Sequence, residues 1–363
     1  MHNSIPALRR RSLCNRFQVC PIGIGCWAIG GPAHNLGLPI GWSTADDAAA
    51  LEGLGIAFQL GANLFDTADV YGLGHSERLL GQFLAKVPRS EVVLSSKVGY
   101  FSGTSVHPYA PAHMRRQLET TLENLGTPYL DLYAFHNANF GPDDKYLEPA
   151  IAELRNFQQE GLVGAIGMRG PHRFALDRGL KPTAFSIDKH QRFLELFDQI
   201  QPDYIALRFN ALTPIPRVGT RTLFSYVADH GVDVLLTKPL CQGLLTGKYR
   251  PETPPEFTHG DHRLNKSWFS GQALELIMDG LAPLRDRFGA TQQGLVRAAL
   301  NYCVQQADNV VALVGFTTPE QVRQNLEAVR EPLEADDIRL ICDVGAQLRE
   351  RLDARGQFFT DSN

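Results

Sequence analysis

The chain has 363 residues, of which 44% are hydrophobic and 20% are charged, so it is long enough for one large domain or two small ones. Its formal net charge is -4 and its basic residues are scattered, which argues against a nucleic-acid surface or a polybasic membrane anchor and favours a small-molecule ligand. The six cysteines are far apart and no histidines cluster at metal-ligand spacing, so neither a disulfide framework nor a metal site is expected, and we predict a cytoplasmic protein with reduced thiols.

The N-terminal segment offers two interpretations. Arg9, Arg10 and Arg11 precede an apolar stretch over residues 17–30, which is the order found in a twin-arginine export signal. That stretch contains three glycines and a proline, however, and a fourth glycine, Gly31, follows it directly; this composition favours a strand and a tight turn. No window approaches the roughly 20 apolar residues of a membrane-spanning helix, so we predict no membrane partner.

Along the chain, apolar runs of strand length alternate with amphipathic segments of helix length. Eight strands are predicted over residues 17–25, 62–66, 92–97, 130–136, 163–168, 204–209, 232–237 and 310–315. The predicted helices cover residues 44–60, 76–86, 111–125, 146–159, 190–199, 220–229, 292–305 and 319–329. Continuous apolar strands that are each followed by a helix indicate a parallel sheet covered by helices, and eight such units close into a (β/α)8 TIM barrel.

The competing architecture is an open, doubly wound sheet. Such a sheet carries a glycine-rich phosphate turn after its first strand. Here Gly23-x-Gly25-x-Trp27 lacks the third glycine and does not open a helix, which favours the barrel.

Two segments depart from the plain alternation. Residues 241–271 form a long polar loop after strand seven, and loops of this length are usually lids or binding loops. Extra helices are predicted over residues 272–288 and 336–351. We expect one barrel domain over residues 1–363, with frayed ends at about 1–15 and 356–363.

Four titratable side chains follow the predicted strands at their carboxyl ends, which meet at one mouth in a barrel. Asp66 ends strand two, Tyr71 lies in the loop after it, Lys97 ends strand three and His136 ends strand four. These side chains support proton transfer to or from an oxygen. An ammonium group near a phenol lowers the pKa of the phenol, and a carboxylate keeps the ammonium charged. An ordinary ion pair of the core and a packing histidine are the structural alternatives.

Several motifs resemble those of the aldo-keto reductase superfamily. They are FDTADVYGLGHSE (65–77), SKV (96–98), LDLYAFH (130–136), IG (166–167), PLCQGLLTGK (239–248) and VGFTTPEQVRQNL (314–326). The resemblance implies that Tyr71 is the general acid/base, tuned by Asp66 and Lys97, and that His136 orients the substrate. It also implies NADP(H) or NAD(H) as cofactor, in the interconversion of a carbonyl and an alcohol.

The same resemblance implies a cofactor site. Its expected residues are Cys26, Trp27, Arg169, Lys238, Leu240, Gly243, Lys248, Gly315, Thr317, Gln321 and Asn325. Several positions differ from the family pattern. Arg169-Gly170 replaces a Ser-Asn pair that binds the carboxamide, Ala206 replaces a glutamine, and Thr237 replaces the aromatic residue on which the nicotinamide stacks.

The two cations at this rim, Arg169 and Lys238, have alternative roles. They form salt bridges with loop carboxylates or face solvent, or they contact the cofactor's pyrophosphate or carboxamide, or an anionic substrate. At the adenosine end, Gly315 and Gln321 stand where the family often has the Lys and Arg that bind a 2'-phosphate, although Arg323 is a possible substitute. NAD(H) and NADP(H) therefore both remain open.

The substrate is less visible in the sequence. Trp27, Tyr100, Phe101, His107 and Tyr109 are expected to line the pocket, and this set suits a sugar or a mid-sized polar ring. The main hypothesis is an oxidoreductase acting on a small polar substrate. A cofactor-binding sensor or regulatory subunit with little turnover, and an epimerase or lyase with a transient redox step, are the alternatives. The oligomeric state is not predicted.

Overall fold

The computed structural model of the protein describes residues 9–43, 46–101, 103–171 and 189–357. Its centre is a closed barrel of eight parallel strands. In chain order these are β1 (Ile22–Gly25), β2 (Leu64–Asp66), β3 (Val93–Val98), β4 (Leu130–Phe135), β5 (Val163–Arg169), β6 (Tyr204–Arg208), β7 (Asp233–Thr237) and β8 (Val310–Gly315). Each strand pairs with its neighbours in sequence, and β8 pairs with β1 to close the ring. The predicted (β/α)8 barrel is confirmed.

Helices cover the outside of the barrel. They are α1 (Asp47–Gln59), α2 (His75–Leu84), α3 (Pro111–Leu125), α4 (Leu147–Gln159), α5 (Lys189–Ile200), α6 (Leu223–Asp229), α7 (Gly271–Gly280), α8 (Ala282–Phe288), α9 (Gln292–Val304), α10 (Pro319–Glu327) and α11 (Ala335–Ala354). Neighbouring helices of the ring, such as α2 and α3, pack on one another and on the strands. Among the helices of the described residues, none combines the length and the hydropathy that a membrane span requires.

A hairpin closes the amino-terminal end of the barrel. Its strands, Arg11–Leu13 and Phe17–Val19, pair antiparallel, and the fully buried Leu13 and Val19 join the apolar cluster of the barrel interior. The prediction of one strand over residues 17–25 was therefore wrong in extent, because the chain turns at Cys20-Pro21 before β1 begins. Fraying was also wrongly predicted for residues 11–13, since they form a strand of this hairpin and the Leu13 side chain fills the end of the barrel. Residues 1–8 and 358–363 lie outside the described residues.

Local chemistry explains the other differences. Helix α1 begins at Asp47 rather than at residue 44, because the Asp46 side chain accepts hydrogen bonds from the backbone amides of Ala48 and Ala49. The helix predicted over residues 272–288 is divided into α7 and α8, since Pro283 has no amide hydrogen to continue the first helix. The long loop 241–271 contains three short 3-10 turns, at Cys241–Thr246, His262–Asn265 and Ser267–Phe269.

Candidate active site

The loop after β2 positions the phenol of Tyr71. Gly72 has φ of 60°, and a Cβ there would lie 2.1 Å from the carbonyl oxygen of Gly30, so only glycine permits this close approach of two loops. The hydroxyls of Thr67 and Ser76 lie 2.9 Å apart, and Ser76 donates to the carbonyl of Cys26 at 2.8 Å. These contacts hold the loop against the end of β1.

A buried ion pair lies beneath this loop. Lys97 Nζ donates to Asp66 Oδ2 at 2.7 Å and to the carbonyl of Thr67 at 2.6 Å, and it lies 5.0 Å from the centroid of the Tyr71 ring. The Ser95 hydroxyl donates to the other oxygen of Asp66 at 2.7 Å. Asp66 and Thr67 therefore use two of the three donors of the ammonium group, and the group faces the ring of Tyr71.

The charges of this group follow from its surroundings. Burial acts to lower the pKa of Lys97, but Asp66 and Tyr71 outweigh burial and raise that pKa above its ordinary value, so the ammonium is charged at neutral pH. Burial raises the pKa of Tyr71, and the opposing effect of Lys97 is smaller. The phenol is therefore protonated at neutral pH. Lys97 acts to lower the pKa of the phenol, as expected from the sequence, but desolvation of the hydroxyl outweighs this effect.

His136 lies beside the phenol. It follows β4, and its backbone amide donates to the carbonyl of Val98 at 2.8 Å. Its ring centroid is 5.8 Å from that of Tyr71 and 4.6 Å from that of Tyr100. The ring of Trp27 lies 6.2 Å from that of Tyr71. The structure thus brings together the four side chains that the sequence placed at the ends of separate strands.

These four side chains line a cavity of about 1310 Å³ at the carboxyl end of the barrel. Typical ligand pockets measure roughly 300–1,000 Å³, so this cavity has room for a dinucleotide together with a second small molecule. Ten of the predicted cofactor-site residues line it: Trp27, Arg169, Lys238, Leu240, Gly243, Lys248, Gly315, Thr317, Gln321 and Asn325.

Three predicted site residues lie outside the cavity lining. The thiol of Cys26 is fully buried and lies 3.7 Å from the carbonyl oxygen of Ile24, so it cannot contact a ligand. Tyr109 is also fully buried, with its hydroxyl bonded to the backbone of Asn137, and Phe101 packs against His113. Of the proposed substrate-pocket aromatics, Tyr100 and His107 do line the cavity.

The loop after β7 fits a polyanionic dinucleotide. Lys238, Cys241, Gln242 and Gly243 all have positive φ, which makes a tight backbone turn. A Cβ on Gly243 would lie 2.7 Å from Cε of Lys248, so the glycine lets the lysine side chain approach the turn. Among the described residues, the buried Nε2 of Gln242 has no hydrogen-bond partner. The turn therefore offers an ammonium group and an unused amide donor to a ligand in the cavity.

The opposite end of the cavity is neutral. Gln321 Oε1 accepts hydrogen bonds from the amide of Thr317 at 2.9 Å and from its hydroxyl at 3.3 Å. Thr318 caps α10 and does not line the cavity. From Gly315 to Asn325 the lining contains no lysine or arginine, and Arg323 is exposed and lies outside the lining.

Comparisons with known proteins agree with this geometry. The family model described as "Aldo/keto reductase family" matches residues 21–345. The chain belongs to the aldo/keto reductase family. It is an NAD(P)-dependent oxidoreductase, and the fit of the cavity to a dinucleotide agrees with this.

Individual relatives span almost the whole length of this aldo-keto reductase. It is 30% identical to the NADH-specific methylglyoxal reductase of Escherichia coli over 340 residues, which cover 90% of this chain and 95% of that protein. It is 28% identical to the L-galactose dehydrogenase of Arabidopsis thaliana, with 85% of this chain and 86% of that protein covered. The structure of the glycerol dehydrogenase from Gluconobacter oxydans is similar, with a TM-score of 0.69 and 26% identity over 93% of this chain and 95% of that one.

A clamp between two loops of the reductase covers one side of the cavity. We define the loop clamp as Ser43, Trp42, Phe257, Asp261 and Arg263. The guanidinium of Arg263 lies between two rings, 3.8 Å from the centroid of Trp42 and 4.1 Å from that of Phe257. It also donates to the fully buried Asp261 at 2.7 Å, and the Ser43 hydroxyl donates to the same carboxylate at 2.6 Å. The loop over residues 241–271 was predicted to be a lid or binding loop. Its contact with Ser43 was not predicted, because Ser43 and Asp261 lie 218 positions apart in the chain.

Replacing Arg263 with leucine is expected to lower the free energy of unfolding by about 3–5 kcal/mol, because the change leaves the Asp261 carboxylate buried without its cation. Burial alone would raise the pKa of Asp261, and hydrogen bonds from Arg263 and Ser43 reverse that effect. We also expect faster NADH dissociation, since Trp42 and His262 line the cavity. Thermal unfolding and stopped-flow fluorescence measure the two effects.

A matched control is Arg221→Leu, because Arg221 pairs with Asp229 in an exposed ion pair. Such pairs contribute about 0–1 kcal/mol, so this variant is expected to unfold almost like the parent protein. Equal stability losses in the two variants would contradict the assignment of the loop clamp.

Proposed function

We propose that this aldo-keto reductase interconverts a carbonyl and an alcohol on a small polar substrate, with Tyr71 as the general acid/base. The observation that carries the proposal is the position of the buried Lys97 ammonium beside Tyr71, 5.0 Å from the centroid of its ring, in the floor of the cavity. A phenol that is protonated at neutral pH and faces a cation is able to release its proton to a developing alkoxide.

In carbonyl reduction, the Tyr71 hydroxyl donates its proton to the substrate oxygen. Lys97 stabilises the resulting phenolate, and Asp66 keeps Lys97 charged and in place, at 2.7 Å. His136 directs the same oxygen towards the phenol, because its ring lies beside that of Tyr71. When bound, the nicotinamide supplies the hydride in reduction and accepts it in oxidation. In alcohol oxidation the phenolate of Tyr71 takes the proton from the substrate hydroxyl.

Different residues of the cavity would bind the charged part and the adenosine part of the cofactor. Gln242 and Lys248 would bind the pyrophosphate of the dinucleotide, and Gly243 would let the pyrophosphate approach the turn. Three further lining residues border this part of the cavity: Trp27, Lys238 and Leu240. Thr317, Gln321 and Asn325 would bind the adenosine half by neutral hydrogen bonds, and Gly315 presents no side chain there. The names of the relatives refer to methylglyoxal, L-galactose and glycerol, which are all small and polar. These names support the substrate class proposed here.

We expect the reductase to prefer NADH to NADPH by about 10- to 100-fold in Kd, because the 2'-phosphate would lack a charged hydrogen-bond donor. Fluorescence titration with each cofactor measures this ratio. Absorbance at the nicotinamide band, with sugars, aldehydes and ketones as substrates, then tests turnover. Formation of a product with no net change in the cofactor would favour the epimerase alternative, and cofactor binding without turnover would favour the sensor.

Gly315→Lys is the informative variant for this preference. A Cβ at Gly315 would meet its nearest neighbour at 3.7 Å, which is an ordinary contact, so a lysine fits there. It is expected to tighten NADPH binding more than NADH binding. Tighter binding of NADPH than of NADH by the parent protein would contradict the prediction.

The two directions of the reaction are expected to differ in pH dependence. Because burial raises the pKa of Tyr71 above its ordinary value of about 10, the phenolate fraction grows about tenfold per pH unit between roughly pH 7 and 10. The value of kcat/KM for alcohol oxidation should rise accordingly, while that for reduction should stay level from about pH 6 to 9. Initial rates in both directions test this, and a level oxidation profile where chemistry is rate-limiting would argue against Tyr71 as the base.

A further inference from the structure

The lining of the cavity carries an excess of positive charge. Among the described residues that form it, five are lysine or arginine and one is a carboxylate: Lys97, Arg169, Lys189, Lys238, Lys248 and Asp66. The chain as a whole has a formal net charge of -4, so this excess is local to the cavity. A concave site with this charge distribution attracts anionic ligands.

A dinucleotide and the buried ion pair account for part of this charge. Asp66 neutralises Lys97, and Lys248 lies against the turn at Gly243, where the site fits a pyrophosphate. Arg169 lies away from the turn at Gly243, at the carboxyl end of β5. Its Nη1 donates to the backbone oxygen of His136 at 3.3 Å, which places the guanidinium next to the residue that faces the phenol. Arg169 therefore belongs to the reaction centre.

Arg169 is suited to an anion more than to a neutral carboxamide. It is half-buried, and within residues 9–43, 46–101, 103–171 and 189–357 no carboxylate forms an ion pair with it. Its charge reaches the hydroxyl of Tyr71, where it favours the phenolate. A guanidinium presents paired donors that match a carboxylate or a phosphate.

We propose that the carbonyl substrate carries a carboxylate or phosphate group, which Arg169 binds next to the reacting carbonyl. The inference rests on the proposed carbonyl and alcohol chemistry and narrows its substrate class. Because Arg169 contacts the backbone of His136, the anionic group lies only a few bonds from the carbonyl carbon. Lys238, whose Nζ lies 5.4 Å from the ring of Trp27, adds to the positive field on the other side of the mouth.

Matched pairs of substrates test the proposal with NADH and the intact protein. Suitable pairs are 4-carboxybenzaldehyde with methyl 4-formylbenzoate, succinic semialdehyde with butanal, and glyceraldehyde 3-phosphate with glyceraldehyde. We expect kcat/KM to be about 10- to 100-fold higher for the anionic member of at least one pair. The ratio should fall when the salt concentration rises from about 0.05 to 0.5 M. Comparison of the carboxylate pairs with the phosphate pair identifies the anionic group.

Variants of Arg169 assign this preference to one side chain. Arg169→Gln is expected to reduce the ratio to near one by raising KM for the anionic member, while the Kd for NADH changes less than about threefold. Arg169→Lys should restore part of the preference, since it keeps the charge but not the paired donors. Arg221→Gln, at an exposed arginine outside the cavity, should leave the ratio unchanged.

Binding of benzoate and benzamide to the protein with NADH is measured separately and needs no turnover. Tighter binding of benzoate that is lost in Arg169→Gln would support the anion site even if every carbonyl were inert, in which case the proposed function alone would fail. Turnover that is equal for both members of every pair would overturn the inference and leave the proposed function intact. A matched loss of NADH affinity and of activity on both members in Arg169→Gln would overturn it as well, because Arg169 would then serve the cofactor.

Discussion

Replacing Tyr71 with phenylalanine is expected to lower kcat for carbonyl reduction by about 10²- to 10⁴-fold, because this is the range that a positioned general acid contributes. The change removes one hydroxyl and keeps the ring that packs near Trp27 and His136. Cofactor affinity should therefore change little, by less than about threefold. Single-turnover absorbance and NADH titration separate the chemical step from binding.

Tyr226→Phe is the control for the loss of a phenol. Tyr226 lies in α6 and does not line the cavity, so the same chemical change there should leave kcat within about twofold of the parent value. If Tyr71→Phe had near-normal single-turnover rates, Tyr71 would not be the proton donor. A large loss of NADH affinity in that variant would instead give the hydroxyl a binding role.

Replacing Lys97 with methionine is expected to abolish most activity and to lower the free energy of unfolding by about 3–5 kcal/mol. The side chains of Lys97 and Asp66 are each only 5% exposed, so removal of the cation leaves a carboxylate in the barrel without its charge partner. The unpaired carboxyl would have a raised pKa in the folded state. The folded variant then binds more protons than the unfolded chain, so its stability should fall as pH rises from about 4 to 7. Denaturant unfolding at several pH values measures both effects.

The double variant Asp66→Asn with Lys97→Met separates stability from chemistry. It removes both charges, so a large part of the lost stability should return, while activity should remain low because no cation stabilises the phenolate. Recovery of activity together with stability would show that the pair only supports the fold. Ser95 donates to Asp66 at 2.7 Å and also to the amide when residue 66 is asparagine, so the local packing is preserved.

The barrel could be predicted because its signal is local. A strand buried on both faces needs a continuous apolar run, and eight such runs separated by helical segments permit few other architectures. The N-terminal hairpin was missed because contacts with distant parts of the chain decide its structure. Residues 11–13 look like a polar end of the chain, yet Leu13 is fully buried because the open end of the barrel needs an apolar cover. The burial of Leu13 therefore cannot be predicted from the sequence of the hairpin alone.

The sequence by itself determined the fold class, the family resemblance and the identity of the four side chains at the mouth, since strand ends are readable and parallel strands all point to one end. Only the tertiary structure decided their electrostatics. It showed that desolvation outweighs Lys97 at the Tyr71 hydroxyl, that Cys26 is sealed inside the fold, and that Arg263 joins two loops far apart in the chain. Solvent exclusion and long-range packing depend on all surrounding elements at once, so neither follows from the residues of a single motif.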